Sequence, residues 1–309
     1  MKKAILITGA GGFVGRNLTE HLTGKYHVYP MQHHDLDLLN ADAVQDFFAQ
    51  YPVDVVLHCA AVGGSRLTRY DTDTTDVVEK NLRMFVNLLR SLPEQSHMIH
   101  LGSGAEYSKP HYRSKMPETF FDTHVPNDAY GFSKYVISRL IASHERVTCL
   151  RIFGLYGKYE DYRYKFISNS IVKNLLGLPI VINQNVVFDY LFVEDFVQIV
   201  EKFVEKRPMQ RFINITPSES VDLLTVCQLI NQISNFQSNT IVLNEGLNTE
   251  YSGDNTRMMT ELGGYSFTPY AEGIAKLHRY YQAALDTLDT DTIRQDPYLQ
   301  YCQPRKQLT

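Results

Sequence analysis

The first half of the chain alternates short apolar runs with longer amphipathic ones. Residues 4–8 read as a buried strand and 13–22 as a helix; 27–31 is strand-like and 41–50 helical. A strand rich in β-branched residues follows at 53–58, then a long helix at 76–92 and a short strand at 98–101. A helix at 129–143 and a strand at 147–152 close this half. Strands alternating with helices of about 10–15 residues imply βαβ units and a parallel sheet covered on both faces. Right-handed crossovers then predict an α/β fold with a Rossmann-type doubly wound sheet, here over residues 1–155.

Beyond about residue 155 the rhythm loosens. A helix is expected near 166–176, strands at 180–182 and 188–192, and a helix at 193–204. A strand at 212–215 and helices at 222–233 and 271–284 complete a smaller, interleaved α/β substrate lobe over 156–285, with some segments returning to the sheet. Residues 286–309 are polar without a clear period and read as a tail or docking arm.

Composition narrows the class. Thirty Lys+Arg against 34 Asp+Glu give a net charge of −4, which disfavours a nucleic-acid binder that works through charge. With 44% hydrophobic and 21% charged residues, the 309-residue chain can bury a sizeable core. Cys59, Cys149, Cys227 and Cys302 form no C-x-x-C or zinc-ligand grouping, and suit reduced thiols in a cytoplasm. No run reaches the ~18 apolar residues of a membrane span. Lys2-Lys3 before an apolar run imitates a signal peptide, but Gly9, Gly11 and Gly12 cut that run short. A cytoplasmic protein without a membrane partner is expected.

Thr8-Gly9-Ala10-Gly11-Gly12-Phe13-Val14-Gly15 lies between the first strand and first helix. Gly9, Gly12 and Gly15 there allow a tight turn, close approach to a pyrophosphate and helix–sheet packing. The helix start at Phe13 and Val14 offers N–H groups and a positive dipole end to the anion. A plain tight turn also selects glycine; placement after a strand favours a dinucleotide site. An acidic residue ending the second strand would bind a ribose 2′-hydroxyl, but Met31-Gln32-His33-His34 supplies none before Asp35. That favours NADP(H) over NAD(H), with His33 or His34 near a 2′-phosphate; two solvated loop histidines read equally well. Asp37 and Leu38 can contact the adenine, and a helix-flanking role for Asp37 competes evenly.

Tyr130 and Lys134 stand at i and i+4 and stack on one helix face. A neighbouring ammonium favours a phenolate, which makes Tyr130 an acid/base for hydroxyl–carbonyl interconversion. Ser103 follows the fourth strand, where ligands of open α/β sheets sit, and its hydroxyl can bond the reacting oxygen; a loop serine in an ST-turn is the alternative. Glu106 receives no catalytic part.

Together these pieces resemble the extended short-chain dehydrogenase/reductase family of sugar-nucleotide epimerases, dehydratases and reductases, over roughly residues 3–285. The match runs through Thr8–Gly15, His58-Cys59-Ala60-Ala61, Asn81, Ser103, Tyr130-x-x-x-Lys134 and Arg151-Ile-Phe-Gly-Leu-Tyr-Gly157. It continues through Phe188-Asp189-Tyr190-Leu191-Phe192-Val193-Glu194-Asp195, Asn214-Ile215-Thr216 and Asp254-Asn255-Thr256-Arg257. Residues 35–50 with Ala60-Ala61-Val62-Gly63-Gly64 look most like the GDP-fucose synthase branch. The resemblance implies a Ser103–Tyr130–Lys134 triad, with Lys134 also on the nicotinamide ribose, and Ala60, Ala61 and Asn81 along the cofactor groove. It also implies a nucleotide-sugar substrate, with Gly104 beside it, and a homodimer through helices 76–92 and 129–143.

Departures sharpen the expectation. The 4,6-dehydratases carry Asp-Glu after the catalytic hydroxyl residue; here stand Gly104 and Ala105. GDP-fucose synthases place a Cys where this chain has Ala105, and no His stands near Ser170. A ketoreductase of nucleotide-activated sugars is therefore expected, against a C4 epimerase retaining NAD or a non-catalytic dinucleotide sensor. Phe188 replaces a diphosphate-gripping Arg and can stack on a base, with Arg163 and Arg257 as substitutes or as solvated surface arginines.

Overall fold

The computed structural model describes residues 2–64 and 75–302. Six strands form the central sheet: β1 (Ala4–Thr8), β2 (His27–Met31), β3 (Val55–His58), β4 (His97–Ser103), β5 (Val147–Ile152) and, from far along the chain, β10 (Phe212–Ile215). All pairs are parallel, in the order β10-β5-β4-β3-β1-β2, so the chain reverses its direction of growth between β1 and β3. A crevice opens outside the strand ends at such a switch point, which fixes where a ligand binds.

Strand alternation feeds two cores. Ile5, Ile7, Leu57 and Ile99 point to one face, where α1 (Phe13–Leu22), α6 (Val193–Glu205) and α8 (Thr256–Leu262) pack. Leu6, Val56 and Met98 point to the other, against α2 (Ala41–Gln50), α3 (Thr75–Ser91) and α4 (Ala129–Ile141). Burial on both faces explains why these strands are continuous apolar runs instead of alternating ones.

A third core belongs to the lobe beyond β5. Here α5 (Phe166–Leu175), α7 (Leu223–Ile233) and α9 (Tyr270–Ala284) pack with β7 (Ile180–Asn185) and β12 (Thr240–Leu247), which are paired in parallel. Two small ribbons, β6 (Gly154–Tyr156) with β9 (Tyr190–Phe192) and β8 (Val187–Phe188) with β11 (Val221–Asp222), join this lobe to the sheet. The strand expected at 188–192 is thus broken at Asp189. Its two halves pair with different partners, and the wholly buried Asp189 carboxylate between them accepts hydrogen bonds from several segments. β12 has no inward apolar pattern, since Ile241, Val242 and Leu247 are exposed.

Part of the segment read as a tail or docking arm docks on the third core. It forms α10 (Thr290–Gln295) and a 3₁₀ turn at Pro297–Tyr301, burying Ile293, Tyr298 and Cys302. Lys173, almost fully buried, donates to Asp296 at 2.6 Å and ties this arm to α5. Residues 303–309 of that expectation lie outside the described residues. Among the described residues, no helix is long and apolar enough to cross a membrane.

Candidate active site

The glycine turn after β1 is built for close approach. Gly9 has φ +65°, and a Cβ there would lie 2.8 Å from the Ala60 backbone on the turn after β3. A Cβ on Gly15 would sit 2.2 Å from the Gly9 carbonyl oxygen, so α1 abuts the turn only without a side chain. Gly12 is the N-cap and supplies no side-chain cap, leaving first-turn N–H groups for a ligand. Thr8 bonds the Ala60 N–H (3.2 Å) and His58 (2.9 Å), fastening β1 to β3 beneath the groove.

A cavity of about 430 Å³ extends from this turn past β2, lined by Gly9, Gly12, Gln32, His33, Leu38, Ala60 and Ala61, among others. His33 stands at its mouth with 82% of its side chain exposed, 3.6 Å from Asp37. Asp37 itself does not line the cavity: its carboxylate turns back to accept the Leu39 N–H at 3.0 Å. Asp35 likewise accepts the Gln32 N–H at 2.9 Å. Asn81 lines neither cavity. Its amide holds both the N–H and the C=O of Val62 (2.8 and 3.0 Å) and reaches Ser133, so it braces the loop after β3.

Beyond the first turn of α1 the groove widens to about 1200 Å³, with Phe13, Val14, Ala61, Ser103, Tyr130 and Lys134 on its walls. Asp128 caps α4 by accepting the Gly131 N–H (2.9 Å), which sets Tyr130 in the first turn and Lys134 one turn on. Lys134 Nζ lies 5.8 Å from the Tyr130 ring centre and donates to the Leu101 carbonyl at 2.7 Å. Burial lowers the pKa of Lys134, and Glu106 and two thiols oppose that shift. Gly63 and Gly64, at φ +83° and +73°, carry the loop after β3 across the Tyr130 ring; a Cβ on Gly64 would come within 2.9 Å of it.

Ser103 ends β4 and begins a capping box. Its Oγ accepts the Ala105 N–H at 3.1 Å while Glu106 accepts the Ser103 N–H at 2.9 Å. Glu106 is wholly buried, and also accepts from Arg151 Nε (2.7 Å) and Ser138 Oγ (2.6 Å). The Arg151 guanidinium lies over Phe121 and Phe212 at 4.3 and 4.8 Å. Glu106 therefore anchors the site from below, and the Ser103-x-x-Glu106 spacing was its sequence signal.

On the substrate side Phe188 lines the cavity, its ring centre 5.1 Å from that of Tyr190 and 6.0 Å from that of Tyr251; Gly104, expected beside the substrate, does not line it and is covered by Phe153 and Tyr251. The two arginines expected as anion grips do not line it. Arg163 is paired with Asp161 two residues earlier, at 2.9 Å. Arg257 on α8 reaches Glu118 (3.5 Å) and the Phe212 carbonyl at the start of β10, away from the ligand-bearing strand ends. Local carboxylates captured both. Sequence reasoning missed Tyr112, Glu160, Lys165 and Tyr251, all on the cavity wall. Burial pushes Glu160 up to about 7, against a 2.5 Å hydrogen bond from Ser168. These residues stand singly in irregular segments, where no periodicity marks them.

The model of the NAD dependent epimerase/dehydratase family matches residues 5–216. The chain is 26% identical to GDP-L-colitose synthase of Yersinia pseudotuberculosis over 174 residues, 51% of this chain and 54% of that protein. It thus spans about half the length of that relative. With GDP-6-deoxy-D-talose 4-dehydrogenase of Aggregatibacter actinomycetemcomitans it is 24% identical, over 85% of this chain and 93% of the other. The solved structure of GDP-mannoheptose C4 reductase from Campylobacter jejuni with NADP bound shares the fold at a TM-score of 0.79 and 16% identity, covering 91% of this chain and 98% of that one.

Proposed function

Because this chain belongs to the NAD-dependent epimerase/dehydratase family, we propose that it reduces a keto group of a nucleotide-activated sugar with NADPH. The observation that carries this reading is the convergence of Ser103, Tyr130 and Lys134 on one cavity that is continuous with the glycine turn. A turn that admits no Cβ at Gly9 or Gly15 fits a dinucleotide pyrophosphate. Bound there, the dinucleotide supplies hydride to the carbonyl carbon.

The chain's own residues do the rest. Tyr130 gives its proton to the carbonyl oxygen as negative charge develops there. Lys134, held by the Leu101 carbonyl, presents its ammonium to the same region and to the nicotinamide ribose. Ser103 hydrogen-bonds the reacting oxygen and fixes the carbonyl's approach. Gly104 and Ala105 bring no acid or base to an adjacent carbon, which supports reduction over elimination or double epimerisation.

Preference for NADPH rests on the end of β2. Gln32 is neutral, Asp35 is turned to its own backbone, and His33 and Lys80 stand on the cavity wall. The reading includes a cytoplasmic homodimer. Half-buried Leu82, Val86 and Leu89 on α3 and Leu140 on α4, with exposed Phe132, offer it an apolar face.

The test is NADPH consumption against a panel of keto nucleotide-sugars. Wild-type protein is expected to turn over, and Tyr130→Phe to lose on the order of 10²–10⁴-fold in kcat with unchanged NADPH affinity. A Phe variant as active as wild type would overturn the assignment.

A further inference from the structure

Among the described residues that line the larger cavity, Glu160 is the one acid, beside the ammoniums of Lys109, Lys134 and Lys165. It is only 7% exposed, and among the described residues no cation pairs with its carboxylate within 4 Å. Ser168 Oγ on α5 donates to Oε2 at 2.5 Å. Oε1 has no hydrogen-bond partner among the described residues, although the side chain stands on the cavity wall. A carboxyl so far withdrawn from water has lost hydration that a ligand donor can replace.

The chain accepts backbone strain beside this carboxyl. Residues 157–160 form a tight turn, closed by the Glu160 N–H donating to the Gly157 carbonyl at 3.3 Å. Tyr159, at the third position of that turn, has φ +71°, where glycine is the favoured residue. Such residues persist only where the surroundings over-determine them, and they cluster at ligand sites. Here α1 supplies the surroundings. Asn17 donates to the Lys158 carbonyl at 3.0 Å, the Arg16 guanidinium lies 3.8 Å from the Tyr159 ring centre, and Lys158 and Tyr159 both donate to Glu20. From α9 the Tyr281 hydroxyl donates to the Glu160 carbonyl at 3.2 Å. Phe13 and Val14, in the first turn of the same α1, line the cavity, so Glu160 is held on its cofactor side. The sugar of a nucleotide-sugar lies on that side, next to the hydride donor. A carboxylate repels a diphosphate and accepts from a hydroxyl, which points it at the sugar.

From this juxtaposition we infer that Glu160 is a substrate-binding residue: its Oε1 accepts a hydrogen bond from a hydroxyl of the sugar while Ser168 holds Oε2. The inference rests on the nucleotide-sugar reading and gives the sugar an anchor separate from the nucleotide's. Burial pushes this carboxyl up to about 7, and a second donor on Oε1 favours its charged form, so the bond to the sugar is charge-assisted. A sugar without that hydroxyl leaves Oε1 unmet and binds more weakly.

The experiment is titration calorimetry of the NADP⁺-loaded protein with UDP-, dTDP- and GDP-hexoses, and with free UDP, dTDP and GDP. It compares wild type with Glu160→Met, which removes both oxygens and keeps the length of the side chain. Glu160→Met is expected to weaken the hexose conjugate roughly 10- to 100-fold, the scale of one hydrogen bond to a charged group, with the free diphosphate and NADP⁺ within about twofold. Among conjugates that each lack one sugar hydroxyl, one is expected to bind wild type and variant alike. Unchanged conjugate binding in Glu160→Met, or an equal loss for conjugate and free diphosphate, overturns the inference and leaves the nucleotide-sugar reading standing. A wild type that binds no conjugate removes that reading, and the inference with it. If Glu160→Met does not fold, Glu160→Gln decides the matter, since it keeps an acceptor for Ser168. It is expected to weaken the conjugate roughly fivefold and leave the free diphosphate untouched, and conjugate binding equal to wild type overturns the inference.

Discussion

Replacing Glu106 by Gln changes one atom and should unsettle both the core and the catalytic ledge. Glu106 and Arg151 have 0% and 1% of their side chains exposed, so neither charge has water to fall back on. One carboxylate oxygen faces Arg151 Nε and Ser138 Oγ; the other faces the Ser103 N–H. An amide NH₂ therefore meets a donor in either orientation, and Arg151 keeps an uncompensated charge. Breaking a buried pair in this way costs about 3–5 kcal/mol. The aromatic rings around the guanidinium draw the expected value toward the lower end. For a chain of 309 residues that corresponds to a fall of roughly 5–8 °C in Tm. Urea unfolding measures it, and kcat should fall as well, because the Ser103 N–H loses its anchor. Adding Arg151→Met removes the orphaned charge and should recover most of the stability, though not the activity. If Glu106→Gln unfolds within about 1 kcal/mol of wild type, or Arg151→Met restores nothing, the pair is not the anchor described.

Three further outcomes are expected. Burial lowers His58 to about 3 and His97 to about 4, and drives His100 well below 6.5. The folded chain thus keeps these rings neutral where the unfolded chain binds protons. Stability is complete above pH 6.5 and falls as pH drops below it, by about 1.4 kcal/mol per pH unit for each histidine. The urea midpoint at pH 7.5, 6 and 5 should follow that slope. His100→Phe, which deletes two unpartnered ring nitrogens, should flatten it, and an unchanged slope would count against the account. Gln32→Asp places a carboxylate where a 2′-phosphate would lie, and should weaken NADPH about tenfold or more while sparing NADH; fluorescence titration with equal losses for both would refute the assignment. Phe132→Glu should convert a dimer to a monomer by sedimentation, whereas a wild type already monomeric removes the interface.

The sheet was legible because burial on both faces writes strands such as β1 as apolar runs between helical periods; 4–8 and 147–152 match β1 and β5 residue for residue, Arg151 in the latter notwithstanding. Tyr130 and Lys134 were legible because one helical turn fixes their relation without help from the rest of the fold. The break at Asp189 was not, since a lone acid inside an apolar run becomes a junction only through Thr216, Ser220 and Gly253 far along the chain. β12 pairs β7 along an exposed face, so its apolar residues carry no inward period. Arg163 and Arg257 show the converse limit: an arginine's partner is decided by the nearest carboxylate in space, here Asp161 and Glu118.

Asp189 also accepts from Lys115, at 3.0 Å, so a single carboxylate gathers one segment that precedes the smaller lobe and two that lie within its span. The Phe188, Tyr190 and Tyr251 rings on the cavity wall are consequently held in place around one buried carboxylate. Under the reductase reading, a sugar entering the cavity meets a slot of preset height. Binding energy then goes to shedding water from the sugar hydroxyls instead of drawing two lobes together. Under that reading, selection falls at the threshold, on ring pucker and substituent bulk, before any bond is made or broken.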